Sequence, residues 1–185
     1  SGLHRKLSEE SEFVKAAAAS GQQLIDIRVP PASISIATGR RRSGKRLLTV
    51  GTDCCVGKKY SALSLHKALE DRGIAATFRA TGQTGILIAG RGIPMDAVVS
   101  DFLSGAAETL TPDAATDHWD VIEGQGSLFH PAYAAVTLGL LHGSQPDAMV
   151  LCHGVGRTVI DGYEDYPVPD LRECVTQYEQ AARVT

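Results

Sequence analysis

The sequence predicts an α/β fold, a mainly parallel sheet with helices on both faces. Three observations carry that expectation. Short apolar runs alternate with segments of helical spacing along most of the chain. Most of those runs are followed by a glycine-containing loop. Glycine itself is 19 of 185 residues, above the usual share of about 7%.

The elements follow in order. Ser8, Glu10, Ser11 and Glu12 open a helix that runs to about Ser20. Residues 24–28 read as a short strand, closed by Pro30 and Pro31. Residues 32–46 form a loop whose Arg40, Arg41, Arg42, Lys45 and Arg46 read as a solvated cationic surface. Strands are expected at 46–50, 74–78, 119–122 and 148–151. Helices are expected at 61–71, stopped by Gly73, at 95–103 after Pro94, at 132–141 before Gly143, and at 171–183. Residues 161–163 and 166–169 read as an ordinary surface loop, with a cover over the site as the alternative. The chain divides into residues 1–46, a helix, strand and basic loop packed on the main domain, and residues 47–185, the main α/β domain. It opens with extra elements and ends on a helix, so it is expected to be part of a longer protein.

Composition narrows the partners. The net charge of −3 argues against a general binder of nucleic acid or anionic membrane. No apolar run reaches the 18 residues of a membrane span. Cys54, Cys55, Cys152 and Cys174 show neither a disulfide framework nor zinc spacing, so reduced thiols in the cytoplasm and no metal are expected. A small-molecule substrate remains. With aromatics at 5%, ligand loops built from backbone are favoured over stacking platforms, and a nucleobase is not expected in an aromatic cage.

The strongest motif is Gly51-Thr52-Asp53-Cys54-Cys55-Val56-Gly57-Lys58, followed by Lys59 and Tyr60, between an expected strand and an expected helix. A glycine-rich turn there points backbone N–H groups inward, and the helix start adds its dipole. Lys58 supplies a point charge for a phosphate. This assigns the fold as a P-loop NTPase-like three-layer sandwich. The residue after the loop lysine is ordinarily Ser or Thr, whose hydroxyl binds Mg²⁺. Here it is Lys59, which suits a diphosphate bound without metal. A Ser61 hydroxyl reaching the site instead would weaken that reading.

The long loop spacing, with Glu123-Gly124-Gln125-Gly126 at a strand end, resembles dethiobiotin synthetase and its relatives. That likeness implies Glu123 on Mg²⁺ if Mg-ATP is used. A wider pattern adds residues 79–85, 92–98, 101–102, Gly105, Ala106, Glu108, residues 123–128, His130, Pro131, Cys152, His153, Gly154 and Arg157. In that order, over most of residues 3–180, they resemble the carboxy-terminal P-loop domain of the D-glutamate N-acetyltransferase-like family. Full-length members of that family carry an amino-terminal Rossmann-like domain, which is not expected in this chain. The resemblance implies acetyl transfer from acetyl-coenzyme A to the amine of a D-amino acid, and a homo-oligomer.

Acyl transfer to an amine needs a base, a thioester and oxyanion donors. Glu123, His130 and His153 are the candidate catalytic residues. Gly82, Gly85, Gly124 and Gly126 are candidate backbone donors. Thr81, Gln83, Thr84 and Gln125 offer side-chain contacts to substrate, and Asp96 joins them through the family pattern. Arg79 and Arg157 are candidate clamps for an acidic substrate. Two alternatives stand beside the acetyltransferase: a Mg-ATP-dependent ligase or carboxylase of the dethiobiotin synthetase kind, and a non-catalytic nucleotide-binding module.

Overall fold

The computed structural model describes residues 1–182. Four parallel strands form the central sheet: β1 (Lys45–Gly51), β2 (Ala76–Arg79), β3 (Trp119–Ile122) and β4 (Ala148–Cys152). Their spatial order is β2-β3-β1-β4, with every pairing parallel. β1 is therefore central, with its carboxyl end flanked by the ends of β3 and β4.

The pleat of β1 divides the core. Leu47 joins the cluster of Ala62, Phe78, Ala80 and Val121 on one face, beneath α2 (Lys58–Glu70) and α3 (Gln83–Ala89). Leu48 and Val50 join Ile122, Met95, Leu103, Leu140, Leu141 and Tyr178 on the other. That face is covered by α4 (Leu103–Leu110), α5 (Ala134–Ser144) and α6 (Leu171–Ala182). The result is the expected three-layer sandwich. α4 and α5 approach closely because Gly139 and Gly143 face Leu103 and Ala107, where a Cβ would fall 2.7 Å from each neighbour's Cβ.

Several expectations need correction. Residues 24–28 form no strand. They run without a ladder partner, and Asp26 turns inward to accept the Leu7 and Ser8 N–H groups. The first helix is α1 (Ser11–Ser20), after a 3₁₀ turn at Leu7–Glu9. The helix expected at 95–103 is two 3₁₀ turns, Met95–Ala97 and Ser100–Phe102, and the α-helix begins only at Leu103. The β-branched pair Val98-Val99 separates those turns in non-helical backbone, with Val98 extended. The loop at 161–169 is largely a hairpin of β5 (Val159–Ile160) and β6 (Tyr163–Pro167). The final helix ends at Ala182, so the expectation for Arg183 lies outside the described residues.

The cationic loop is not all surface. Arg42 and Arg46 are buried. Arg42 donates to the carbonyls of Thr111 (2.7 Å), Gly143 (2.7 Å) and Ser144 (3.2 Å), at the carboxyl ends of α4 and α5. Those carbonyls lack intrahelical partners and sit at the negative dipole ends, so a guanidinium satisfies both helices at once. Among the described residues, no helix is long and apolar enough to cross a membrane.

Candidate active site

The loop between β1 and α2 carries the expected phosphate-loop geometry. Cys55 and Gly57 both take positive φ, at 55° and 96°. Gly51 has no room for a side chain, since a Cβ would lie 2.8 Å from Val56 and 3.1 Å from the Lys58 Nζ. Lys58 is buried and donates to the Asp53 carbonyl at 2.7 Å. Burial holds its pKa below the ordinary lysine value, against the raising effect of the nearby thiols and Asp53. α6 braces the loop from below: the Tyr178 hydroxyl donates to the Gly51 carbonyl at 2.7 Å and accepts from the Leu128 N–H at 3.2 Å. Nothing in the local sequence marks Tyr178, because its partners lie 127 and 50 residues away.

A cavity of about 520 Å³ opens beside this loop. Cys54, Cys55, Gly57, Lys58, Lys59 and Tyr60 line one wall, and Gly82, Gln83, Thr84 and residues 123–126 the other. Three of the sequence motifs therefore meet in one place.

Glu123 is the acid of the cavity. It ends β3 and reaches across β2, where Oε2 accepts the N–H groups of Thr81 (2.9 Å) and Gly82 (3.0 Å). Burial pushes its pKa up, and those two hydrogen bonds and Lys59 pull the other way without cancelling it. Gly85, in the first turn of α3, is required by this arrangement. A Cβ there would lie 2.8 Å from the Glu123 Cδ and closer still to Oε2.

The other two candidate bases are engaged elsewhere. His130 is buried, and its Nδ1 accepts the Ala132 N–H at 3.1 Å. That bond occupies the Nδ1 lone pair. His153 pairs through Nδ1 with the Thr52 hydroxyl at 3.1 Å. Neither lines the cavity.

The substrate residues divide in the same way. Gln83, Thr84 and Gln125 face the cavity. Thr81 is buried and ties the strand ends together, its hydroxyl donating to the Glu123 carbonyl at 2.7 Å while Gln125 donates to the Thr81 carbonyl. Arg79 pairs with Asp120 at 2.7 Å, Asp96 with Arg28, and Arg157 with Asp53 at 2.7 Å. None of those three lines the cavity. Two backbone donors are also taken: the Gly82 N–H by Glu123, and the Gly124 N–H by the Thr49 hydroxyl at 2.9 Å.

Asp53 is a structural clasp. Burial opposes its ionisation, but the Asp161 N–H, the Arg157 guanidinium and the Cys54 N–H outweigh that and hold it below the ordinary Asp value. These bonds fasten the β5–β6 hairpin to the phosphate loop.

The residues present do not suit Mg²⁺. Lys59 occupies the hydroxyl position, the Ser61 hydroxyl lies 3.4 Å from the Cys152 sulfur and outside the cavity, and the Glu123 Oε2 is committed to backbone N–H groups. A third set, Asp53, Cys54 and His130, offers atoms within 4.8 Å of one another. Its carboxylate is already shared with Arg157.

Residues 35–185 match the family described as Domain of unknown function (DUF1611_C) P-loop domain. Residues 1–30 match Domain of unknown function (DUF1611_N) Rossmann-like domain, so a segment of the amino-terminal domain is present, against the expectation that the chain lacks it. The chain belongs to the DUF1611 family. A curated relative named D-glutamate N-acetyltransferase, from Tritonibacter scottomollicae, is 56% identical over 173 residues, covering 94% of this chain and 52% of the relative. Another of that name, from a Pseudoalteromonas species, is 52% identical over 185 residues, covering 100% and 56%. The crystal structure of a DUF1611 family protein from Anabaena variabilis superposes with a TM-score of 0.90 at 40% identity, over 98% of this chain and 53% of that one. The chain spans about half the length of these relatives.

Proposed function

We propose that this chain is the P-loop part of an N-acetyltransferase that moves an acetyl group from acetyl-coenzyme A to the amine of a D-amino acid, D-glutamate or a close analogue. The loop of residues 51–58 holds the coenzyme A diphosphate, with Lys58 and Lys59 as its charges. The observation that carries this reading is the pair of lysines facing a buried carboxylate, Glu123, across one cavity that lacks the metal-binding hydroxyl. The names of the two curated relatives supply the reaction class and the acceptor.

Glu123 is the base this geometry favours. Its Oε2 is fixed by two N–H groups, and a pKa above the ordinary range suits removal of a proton from an ammonium near neutral pH. The freed amine attacks the thioester carbonyl, and the coenzyme A thiolate leaves and is protonated. The pantetheine arm must fold along the cavity for its thioester to reach Glu123. Gln83 and Thr84 are placed to donate to the substrate or the developing oxyanion, while the Gln125 amide nitrogen is held by Thr81 and leaves its oxygen to accept. Free thiols at Cys54, Cys55, Cys152 and Cys174 accord with a cytoplasmic setting.

Release of coenzyme A thiol from acetyl-coenzyme A and D-glutamate tests the reading. Turnover that persists with chelator and is lost in Glu123→Gln supports it. Turnover that requires ATP and Mg²⁺ favours the ligase. Binding without turnover favours the nucleotide-binding module.

A further inference from the structure

We propose that Tyr133, Tyr163 and Tyr166 form a nucleobase platform for the ligand whose phosphates lie in the loop of residues 51–58. The platform rests on the coenzyme A reading only for the name of the nucleotide. A chain with five tyrosines places three of them here, Tyr133 and Tyr163 against His130 and Tyr166 against Tyr163. The His130 ring lies 4.5 Å from Tyr133 and 5.0 Å from Tyr163, and Tyr163 lies 6.1 Å from Tyr166. The tyrosines stay 55%, 36% and 48% exposed, so they serve the core little, while His130 beneath them is buried. The low aromatic content argues against a stacking site only if the aromatics are scattered, and they are not.

The platform is continuous with the phosphate loop. A His130 ring nitrogen lies within 4.8 Å of the Asp53 carboxylate and the Cys54 sulfur. The hairpin that carries Tyr163 and Tyr166 is fastened to the same Asp53 by the Asp161 N–H at 2.8 Å. Topology then sets the direction. The loop sits on β1, between β3 and β4. A diphosphate held there has two ways out. One leads over β3, into the cavity with Glu123, where the acyl group must react. The nucleoside leaves over β4, whose chain continues into the hairpin. A purine has a π-face on each side and an aromatic ledge accepts it without base-specific hydrogen bonds.

Calorimetry of the 185-residue protein with coenzyme A, ADP and pyrophosphate tests this. Tyr163→Ala and Tyr166→Ala are expected to weaken coenzyme A and ADP about tenfold, the loss of one stacked base, and to leave pyrophosphate unchanged. Tyr163→Phe and Tyr166→Phe are expected to keep the affinity, because the ring and not the hydroxyl does the binding. Equal loss for pyrophosphate, or no loss for either nucleotide, overturns the platform. So does a change of oligomeric state without a change of nucleotide affinity, which makes the ledge a contact between copies. ADP binding with the same tyrosine dependence, where coenzyme A does not bind, supports the platform and refutes the coenzyme A reading. Absence of all binding overturns both.

Discussion

Gly85→Ala is a substitution for which helix propensity and this structure give opposite signs. Alanine in a helix interior is ordinarily better than glycine by about 1 kcal/mol. Here the new methyl occupies the place of the Glu123 carboxylate. Moving that carboxylate breaks its bonds to the Thr81 and Gly82 N–H groups, at 2.9 and 3.0 Å. Hydrogen bonds to a charged partner are worth about 1.5–3 kcal/mol each. The net expectation is a loss of about 2–5 kcal/mol after the propensity gain is subtracted. Urea unfolding followed by the single tryptophan, Trp119, measures it. The control is the same substitution in a Glu123→Ala background, where no carboxylate meets the methyl and Gly85→Ala should be neutral or favourable. Stabilisation of the otherwise unchanged protein by about 1 kcal/mol refutes the packing argument for Gly85 and Glu123.

Other expectations follow from the charges. The Glu123 pKa is raised, so its carboxylate opposes folding once the pH exceeds the unfolded value near 4.5. Glu123→Gln should therefore melt increasingly above the unchanged protein as pH rises from 4 to 7, and thermal melts across that range check it. The Lys58 pKa is lowered, so its buried ammonium opposes folding at neutral pH, and that penalty fades as pH climbs through the lowered value toward 10.5. Lys58→Met should be at least as stable as the original near pH 7, by thermal melt, while losing phosphate-ligand binding. The Asp53 pKa is lowered, so its stabilisation is present above about pH 3.8 and lost as pH falls through the folded value. Asp53→Asn should release the hairpin, read as faster proteolysis at residues 154–162 at pH 7.

The sheet was legible because each strand is a short apolar run closed by glycine or a polar turn, and β3 falls on Trp119–Ile122 as expected. The phosphate loop was legible because its glycines, lysine and following helix are contiguous. α3 was not, since Gly82, Thr84 and Gly85 weaken its helical signal and its reason to form is the distant Glu123. The arginines are ambiguous for a related reason. Arg79 and Arg157 read equally as substrate clamps or as surface or ion-pair residues, and Arg42 as part of a solvated loop, because their partners lie 41, 104 and about 70–100 residues away. Residue type gives a charge, and only the fold says what neutralises it. His130 and His153 follow strand ends as the pattern required, but the bonds to Ala132 and Thr52 that occupy them are matters of turn geometry and of register between β1 and β4. Of the three candidates, Glu123 lines the cavity and the two histidines do not.

Coenzyme A is proposed to bind through its diphosphate on Lys58 and Lys59 without metal. Calorimetry of coenzyme A against this protein, with and without EDTA, tests it most directly. The expected result is binding that is unchanged by EDTA and abolished in Lys58→Ala. Binding that disappears with EDTA, or that survives Lys58→Ala intact, contradicts it.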